Sequence, residues 1–163
     1  HLELRTDKSV YRKGESVNLM IFAQQEGHLR LFYKDAAGVV STLFPNEHLE
    51  REARTRGVTF NDRIPGGRAV IVSGENSVTN MTVFIEGPKF GREQLAAVLT
   101  DFPIQDDAQF RAELERSGSI EVAVSSIAAK SAVTRLNTGR KRNDSTPGPR
   151  IGVQIVNLHT IER

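Results

Sequence analysis

Residues 2–44 read LELRTDKSVYRKGESVNLMIFAQQEGHLRLFYKDAAGVVSTLF. Leu2 and Leu4 alternate with Glu3 and Arg5. Val17, Leu19 and Ile21 alternate with Asn18, Met20 and Phe22, and Leu29, Leu31 and Tyr33 with Arg30, Phe32 and Lys34. Val39–Phe44 is a fourth β-rich run. A side-chain period of two, carried by branched and aromatic residues, marks half-buried strands. The runs are parted at Lys13-Gly14, Glu26-Gly27 and Ala37-Gly38, where a residue without Cβ suits a tight turn. Connections this short make sequence neighbours pair antiparallel. The apolar face of such a sheet needs a second layer over it.

Working outward, Pro45 and Asn46 end the fourth strand. Glu47–Arg56 is polar and fits one helical turn or a loose excursion. Val58–Phe60 reads as a small edge segment, and Ile64-Pro65-Gly66-Gly67 as a break before a strand over Arg68–Val72. Val78–Glu86 reads as a strand; Gln94–Thr100 is helix-tolerant by propensity, but its shortness and the preceding strand and turn favour a second strand joined to the first by a hairpin. Asp106–Arg116 is the best helix: Asp106 or Asp107 caps it, Phe110 and Leu114 share a face, and Gly118 stops it. Ile120–Val124 alternates and reads as a strand, while Ile127–Leu136 fits either period. Ile151–Ile155 alternates again and re-enters the sheet, giving a long hairpin from 120–124 to 151–161. Strands outnumber helices, so the expected fold is all-β: a two-layer antiparallel β-sandwich with one short peripheral helix. It forms a single domain over 1–163, with a mobile basic loop at 137–150.

Composition narrows the chemistry. Cysteine is absent, which removes disulfides, thiolate nucleophiles and cysteine-based metal sites. Twenty-two basic and twenty acidic residues leave a formal charge of +2, so the chain is no polycation. The charge is uneven, however: Lys130–Arg150 holds six basic residues and one acidic residue. The four histidines, His1, His28, His48 and His159, belong to no catalytic or zinc motif, and each is read as structural. Asp101, Asp106 and Asp107 are read as helix-capping residues rather than a calcium site. No Gly-rich phosphate loop or nucleophile elbow is present. No apolar run approaches the roughly 20 residues that cross a bilayer. A start at His1 rather than methionine points to a piece of a longer parent chain.

The order of motifs resembles the DUF4384 domain family over residues 6–104. The matching pieces are TDKSVYRKGESVNLMI (Thr6–Ile21), GHLRLFYKDAAGVVSTLFPN (Gly27–Asn46), Ile64-Pro65, and FIEGPKFGREQLAAVLTDFPI (Phe84–Ile104). The resemblance implies an immunoglobulin-like form of the sandwich. Such domains occur in bacterial proteins, sometimes beside a caspase-like or kinase-like enzyme or an envelope-associated module. The family offers no agreed catalytic residues to carry over. The long excursion between Ile64 and Phe84 and the tail after Ile104 depart from its pattern.

The expected function is a non-catalytic protein-binding or accessory module of a bacterial cell-envelope or secretion-associated protein, in the periplasm or envelope. Arg140, Lys141, Arg142 and Arg150 are the candidate contact residues for a protein partner, with Phe60 and Phe90 secondary. No cofactor and no metal is expected. Two readings stay open beside it. One is a regulatory domain attached to an enzyme elsewhere in the parent chain. The other is a module whose basic loop meets an anionic membrane surface or nucleic acid; the latter lacks a recognition helix or an aromatic platform.

Overall fold

A computed structural model of the chain describes residues 1–58, 60–103, 107–126 and 150–163. The elements run β1 (Leu2–Thr6), β2 (Val10–Arg12), β3 (Ser16–Val17), β4 (Leu19–Ala23), β5 (Gly27–Lys34), β6 (Val40–Phe44) and α1 (Glu47–Thr55). They continue with β7 (Arg63–Ile64), β8 (Arg68–Ser73), β9 (Val83–Phe84), β10 (Arg92–Thr100), α2 (Asp107–Ser117), α3 (120–126) and β11 (Ile151–Ile161).

Two sheets carry the fold. The smaller has the order β1-β4-β8, all antiparallel. The larger has the order β2-β11-β10-β5-β6, with β7 beside β5. β10 is its axis, pairing antiparallel with β11 from Arg92↔His159 to Thr100↔Ile151 and with β5 from Gln94↔Lys34 to Thr100↔His28. Between the sheets lies one core. Leu4, Leu19, Ile21, Val70 and Val72 of the smaller sheet pack with Leu29, Leu31, Leu95, Ala97 and Leu158 of the larger. The other face of the larger sheet is also covered. Phe32, Ala96 and Val98 pack under Phe110 and Leu114 of α2 and Ile120, Ala123 and Val124 of α3, with Phe32 and Phe110 rings 5.0 Å apart.

The chain is therefore mixed α/β, with three helices among the described residues, and the all-β, immunoglobulin-like two-layer antiparallel β-sandwich with one short peripheral helix is corrected. The strand order is not immunoglobulin-like, and β2 joins β11 in parallel. The physical reason lies in β5 and β10. Consecutive residues Leu95–Val98 are all buried because their sheet is covered on both sides. Leu31 and Phe32 likewise serve opposite cores.

Local corrections follow the same logic. Residues 120–126 are helical, not a strand, so no hairpin ties 120–124 to β11. Ile120, Ala123 and Val124 fall at i, i+3 and i+4, a helical face, and the Ser119 Oγ accepts from the Val122 N–H at 3.3 Å. Glu47–Thr55 is a full helix because Asn46 caps it, its Oδ1 accepting from the Leu49 N–H at 2.9 Å. Val83–Phe84 is the strand within 78–86, whereas residues 77–81 turn through Ser77. Neither Val58 nor Phe60 lies in a strand. The expectations for Thr59, for Asp106 as a cap and for Ile127–Leu136 fall outside the described residues, as does the basic loop at 137–149. The strands read over Arg68–Val72 and Gln94–Thr100 form as Arg68–Ser73 and Arg92–Thr100, the helix read over Asp106–Arg116 as Asp107–Ser117, and β11 enters the sheet; β9 and β10 make no hairpin, because β9 pairs with β3 while β10 pairs with β5 and β11.

The link from β1 to β4 is pinned by a buried phenol. Tyr11 is fully buried, donates its hydroxyl hydrogen to Asp7 Oδ1 at 2.5 Å and accepts from the Lys8 N–H at 3.0 Å. Asp7 also accepts from the Asn18 backbone N–H at 3.1 Å and side-chain amide at 3.3 Å. Burial and then the Asp7 hydrogen bond push the Tyr11 hydroxyl up to about 12. Burial alone would raise the Asp7 carboxyl, but the donors from Tyr11 and Asn18 outweigh it and hold it below its ordinary value.

Candidate functional site

Of the residues singled out from the sequence, Arg140, Lys141 and Arg142 lie outside the described residues. Arg150 lies within them, exposed, immediately before β11 and beside the end of β10. Its backbone exchanges hydrogen bonds with Asp101, N–H to Oδ1 at 3.1 Å and carbonyl from the Asp101 N–H at 3.2 Å. Its guanidinium donates to Gln25 Oε1 at 2.5 Å. Phe60 and Phe90 pack against the core between the sheets, Phe60 with its ring 5.5 Å from Phe44.

Among the described residues two further clusters of ionisable groups are buried or half-buried. At the start of β5, Asp62 accepts from Arg30 and pairs with His28 Nδ1 at 2.6 Å, and its backbone carbonyl accepts from the Leu29 N–H. Burial works to raise the Asp62 carboxyl, but the hydrogen bonds and charges of Arg30 and His28 hold it low. An aspartate orienting a histidine is half of a hydrolytic triad. Thr100 stands opposite His28 in register, but its hydroxyl donates to the Phe102 carbonyl at 2.7 Å. Among the described residues no serine or threonine hydroxyl is hydrogen-bonded to His28. The second cluster is Glu93, buried on β10 and bonded to the Tyr33 hydroxyl. Burial raises its carboxyl despite the opposing Ala36 N–H and Thr160 hydroxyl. Both clusters tie strands together. Among the described residues no three His, Asp or Glu side chains converge as metal ligands.

Two surfaces remain, and sequence reasoning named neither. The first is the outward face of the smaller sheet. Because Leu19, Ile21 and Ala23 point inward, Met20 and Phe22 point out. Met20 lies directly opposite Ile71, and Phe22 opposite Ala69. Val78 extends the row, its N–H donating to the Ile71 carbonyl at 2.8 Å. Met20 is 40%, Ile71 43% and Val78 54% exposed, well above a core residue. Glu3 and Arg5, paired to each other, lie across from Phe22 and Met20, and Arg68 is exposed on the far strand. The alternation of β4 held this information, but nothing local says which of its two apolar faces is outside.

The second is a cavity of about 230 Å³ beside β6. Val40 and Thr42 line one wall, Arg111, Leu114 and Glu115 of α2 the other, and Asn46 and Glu47 the end beyond β6. Arg111 Nη1 pairs with Glu47 Oε1 at 3.1 Å, while the buried Arg111 Nε has no acceptor. Arg111 lies 64 residues from Glu47, a separation no local pattern reveals.

No helix among the described residues is long and apolar enough to cross a membrane. No curated protein and no solved structure matches the chain. A family model does match, over residues 10–103, more than half of the 163 residues, so the chain belongs to the family described as Domain of unknown function (DUF4384).

Proposed function

We propose that this chain is a non-catalytic protein-binding or accessory module of a bacterial cell-envelope or secretion-associated protein, and that the outward face of its smaller sheet is the contact surface. The observation that carries the reading is the row Met20, Ile71 and Val78, apolar and exposed, continued by the half-buried Phe22. Isolated exposed apolar side chains are ordinary, but a contiguous row rimmed by charge is the usual make-up of a protein interface. Methionine at its centre adapts its shape to a partner at little cost. The placement in the envelope rests on the modules beside which such domains occur, and the partner is a protein.

The test is a photo-crosslinking residue at position 71 in the intact parent chain within cells, with position 89, an exposed turn residue, as control. One discrete protein adduct at 71, absent at 89 and lost in Met20→Lys, supports the reading. Absence of any adduct at 71 overturns the contact surface. Hydrolysis of a model ester that vanishes in both His28→Ala and Asp62→Asn overturns the non-catalytic assignment.

A further inference from the structure

Strand edges carry unpaired N–H and C=O groups and must be covered, charged or used. The outer edge of β8 is covered by the Val78 N–H on the Ile71 carbonyl and the Thr79 hydroxyl on the Val72 carbonyl at 2.6 Å. β1 carries Glu3 and Arg5, and β2 is three residues long with Arg12. β6 differs: Val-Ser-Thr-Leu-Phe holds no charge, and among the described residues its backbone pairs with β5 alone. It is also the edge that borders the cavity.

We infer that the outer edge of β6 accepts an extended peptide as an added strand, with one carboxamide side chain, Gln or Asn, filling the cavity beside Val40 and Thr42. Strand addition supplies main-chain hydrogen bonds, and alternate side chains of the added strand supply selectivity. Val40 and Thr42 are two apart and face the same way, so the incoming side chain on that face points into the cavity. The lining selects its chemistry. Arg111 Nε offers a buried N–H that lacks an acceptor, and Glu47 and Glu115 offer carboxylates. A carboxamide matches both: its carbonyl accepts from Nε and its NH₂ donates to a carboxylate. A carboxylate side chain would be a third negative group beside one guanidinium. An ammonium would leave the Nε hydrogen unpaired. Leu114 and Val40 give the methylene groups an apolar wall. This edge is separate from the sheet face proposed above, so either can fail without the other.

The experiment titrates the 163-residue chain with seven-residue strand-forming peptides, identical except for Gln, Glu or Leu at the centre. Amide shifts in the chain report the location. The expected result is binding tighter than about 1 mM, with shifts centred on Val40–Phe44, and roughly tenfold preference for Gln. N-methylation of alternate peptide nitrogens should abolish binding in one phase and spare it in the other. Arg111→Lys keeps the charge but removes the Nε donor, and should bring the three peptides within about twofold of one another. Equal binding by both N-methylated phases, shifts elsewhere, no binding by the Gln peptide, or an unchanged Gln preference in Arg111→Lys would each overturn the inference.

Discussion

Replacing Tyr11 by phenylalanine leaves a ring of nearly the same shape in the core and deletes one hydroxyl. That hydroxyl donates to Asp7 Oδ1 at 2.5 Å and accepts from the Lys8 N–H at 3.0 Å. A hydrogen bond to a charged group contributes about 1.5–3 kcal/mol and a neutral one about 0.5–1.5 kcal/mol. Asp7 and Lys8 are exposed, so water replaces part of what each loses, and the low ends of both ranges apply. The expected cost of Tyr11→Phe is therefore about 2 kcal/mol at neutral pH. The pH dependence separates this account from simple loss of packing. The folded Asp7 carboxyl lies below its ordinary value of 3.8, so its contribution is full above that value and lost as pH falls through it. Without the Tyr11 donor the depression shrinks, so the variant loses less stability in acid than the parent does. On the alkaline side the sign reverses. The Tyr11 hydroxyl is raised from 10.0 to about 12, so its contribution is full below 10.0 and lost as pH rises toward 12, a loss the variant lacks. Urea denaturation at neutral, acid and alkaline pH measures all three. A Tyr11→Phe cost under about 0.5 kcal/mol, or acid and alkaline slopes equal to the parent's, would refute the reasoning.

Further outcomes test other layers of the structure. Phe110→Ala removes the ring that packs on Phe32 from the helical side and should cost about 3–4 kcal/mol by urea denaturation; a near-neutral result would mean that the helical layer does not cover the larger sheet. Asp62→Asn leaves Arg30 and His28 buried without their carboxylate and should cost about 3 kcal/mol by the same measurement. The Asp62 contribution is full above its ordinary value of 3.8 and fades as pH drops below, so the gap between parent and variant should narrow in acid. Gly27→Ala places a Cβ 2.7 Å from the Thr100 carbonyl oxygen and 2.9 Å from Leu99 Cγ where β5 meets the end of β10, and should lower the melting midpoint more than Gly38→Ala, whose Cβ meets nothing within 4 Å and whose cost is confined to its positive φ of 86°. Met20→Lys and Ile71→Lys should each change stability by less than about 0.5 kcal/mol, because both side chains are solvent-facing; a larger loss would place them in the core.

The candidate surfaces were partly legible. Alternation along Leu19–Ala23 announced two faces, but Met20 and Phe22 are as apolar as Ile21, so only the pairing of β4 between β1 and β8 shows which face meets solvent. The cavity at β6 brings Val40 and Thr42 to Arg111 and Leu114 across some seventy residues of chain, beyond the reach of any local period. The basic residues stand out because charge density is visible in a linear sequence, whereas an uncharged edge strand is not marked by any residue type.

Local physics settles what depends on a few neighbouring residues. Alternating branched side chains made β1, β4, β5 and β11 readable, short apolar runs bounded by turns made β8 and β10 readable, and the Phe110–Leu114 spacing made α2 readable. Cysteine content, net charge and family membership are likewise properties of the sequence itself. The number of layers is not, because a strand buried on both faces and a helix buried on one can carry the same apolar residues. Ile120–Val124 satisfies either period; packing of Ile120, Ala123 and Val124 onto Phe32, Ala96 and Val98 makes it a helix and gives the larger sheet its second cover. The non-local packing of α2 and α3 together on that face separates a three-layer mixed fold from the two-layer sandwich that the strands alone suggest.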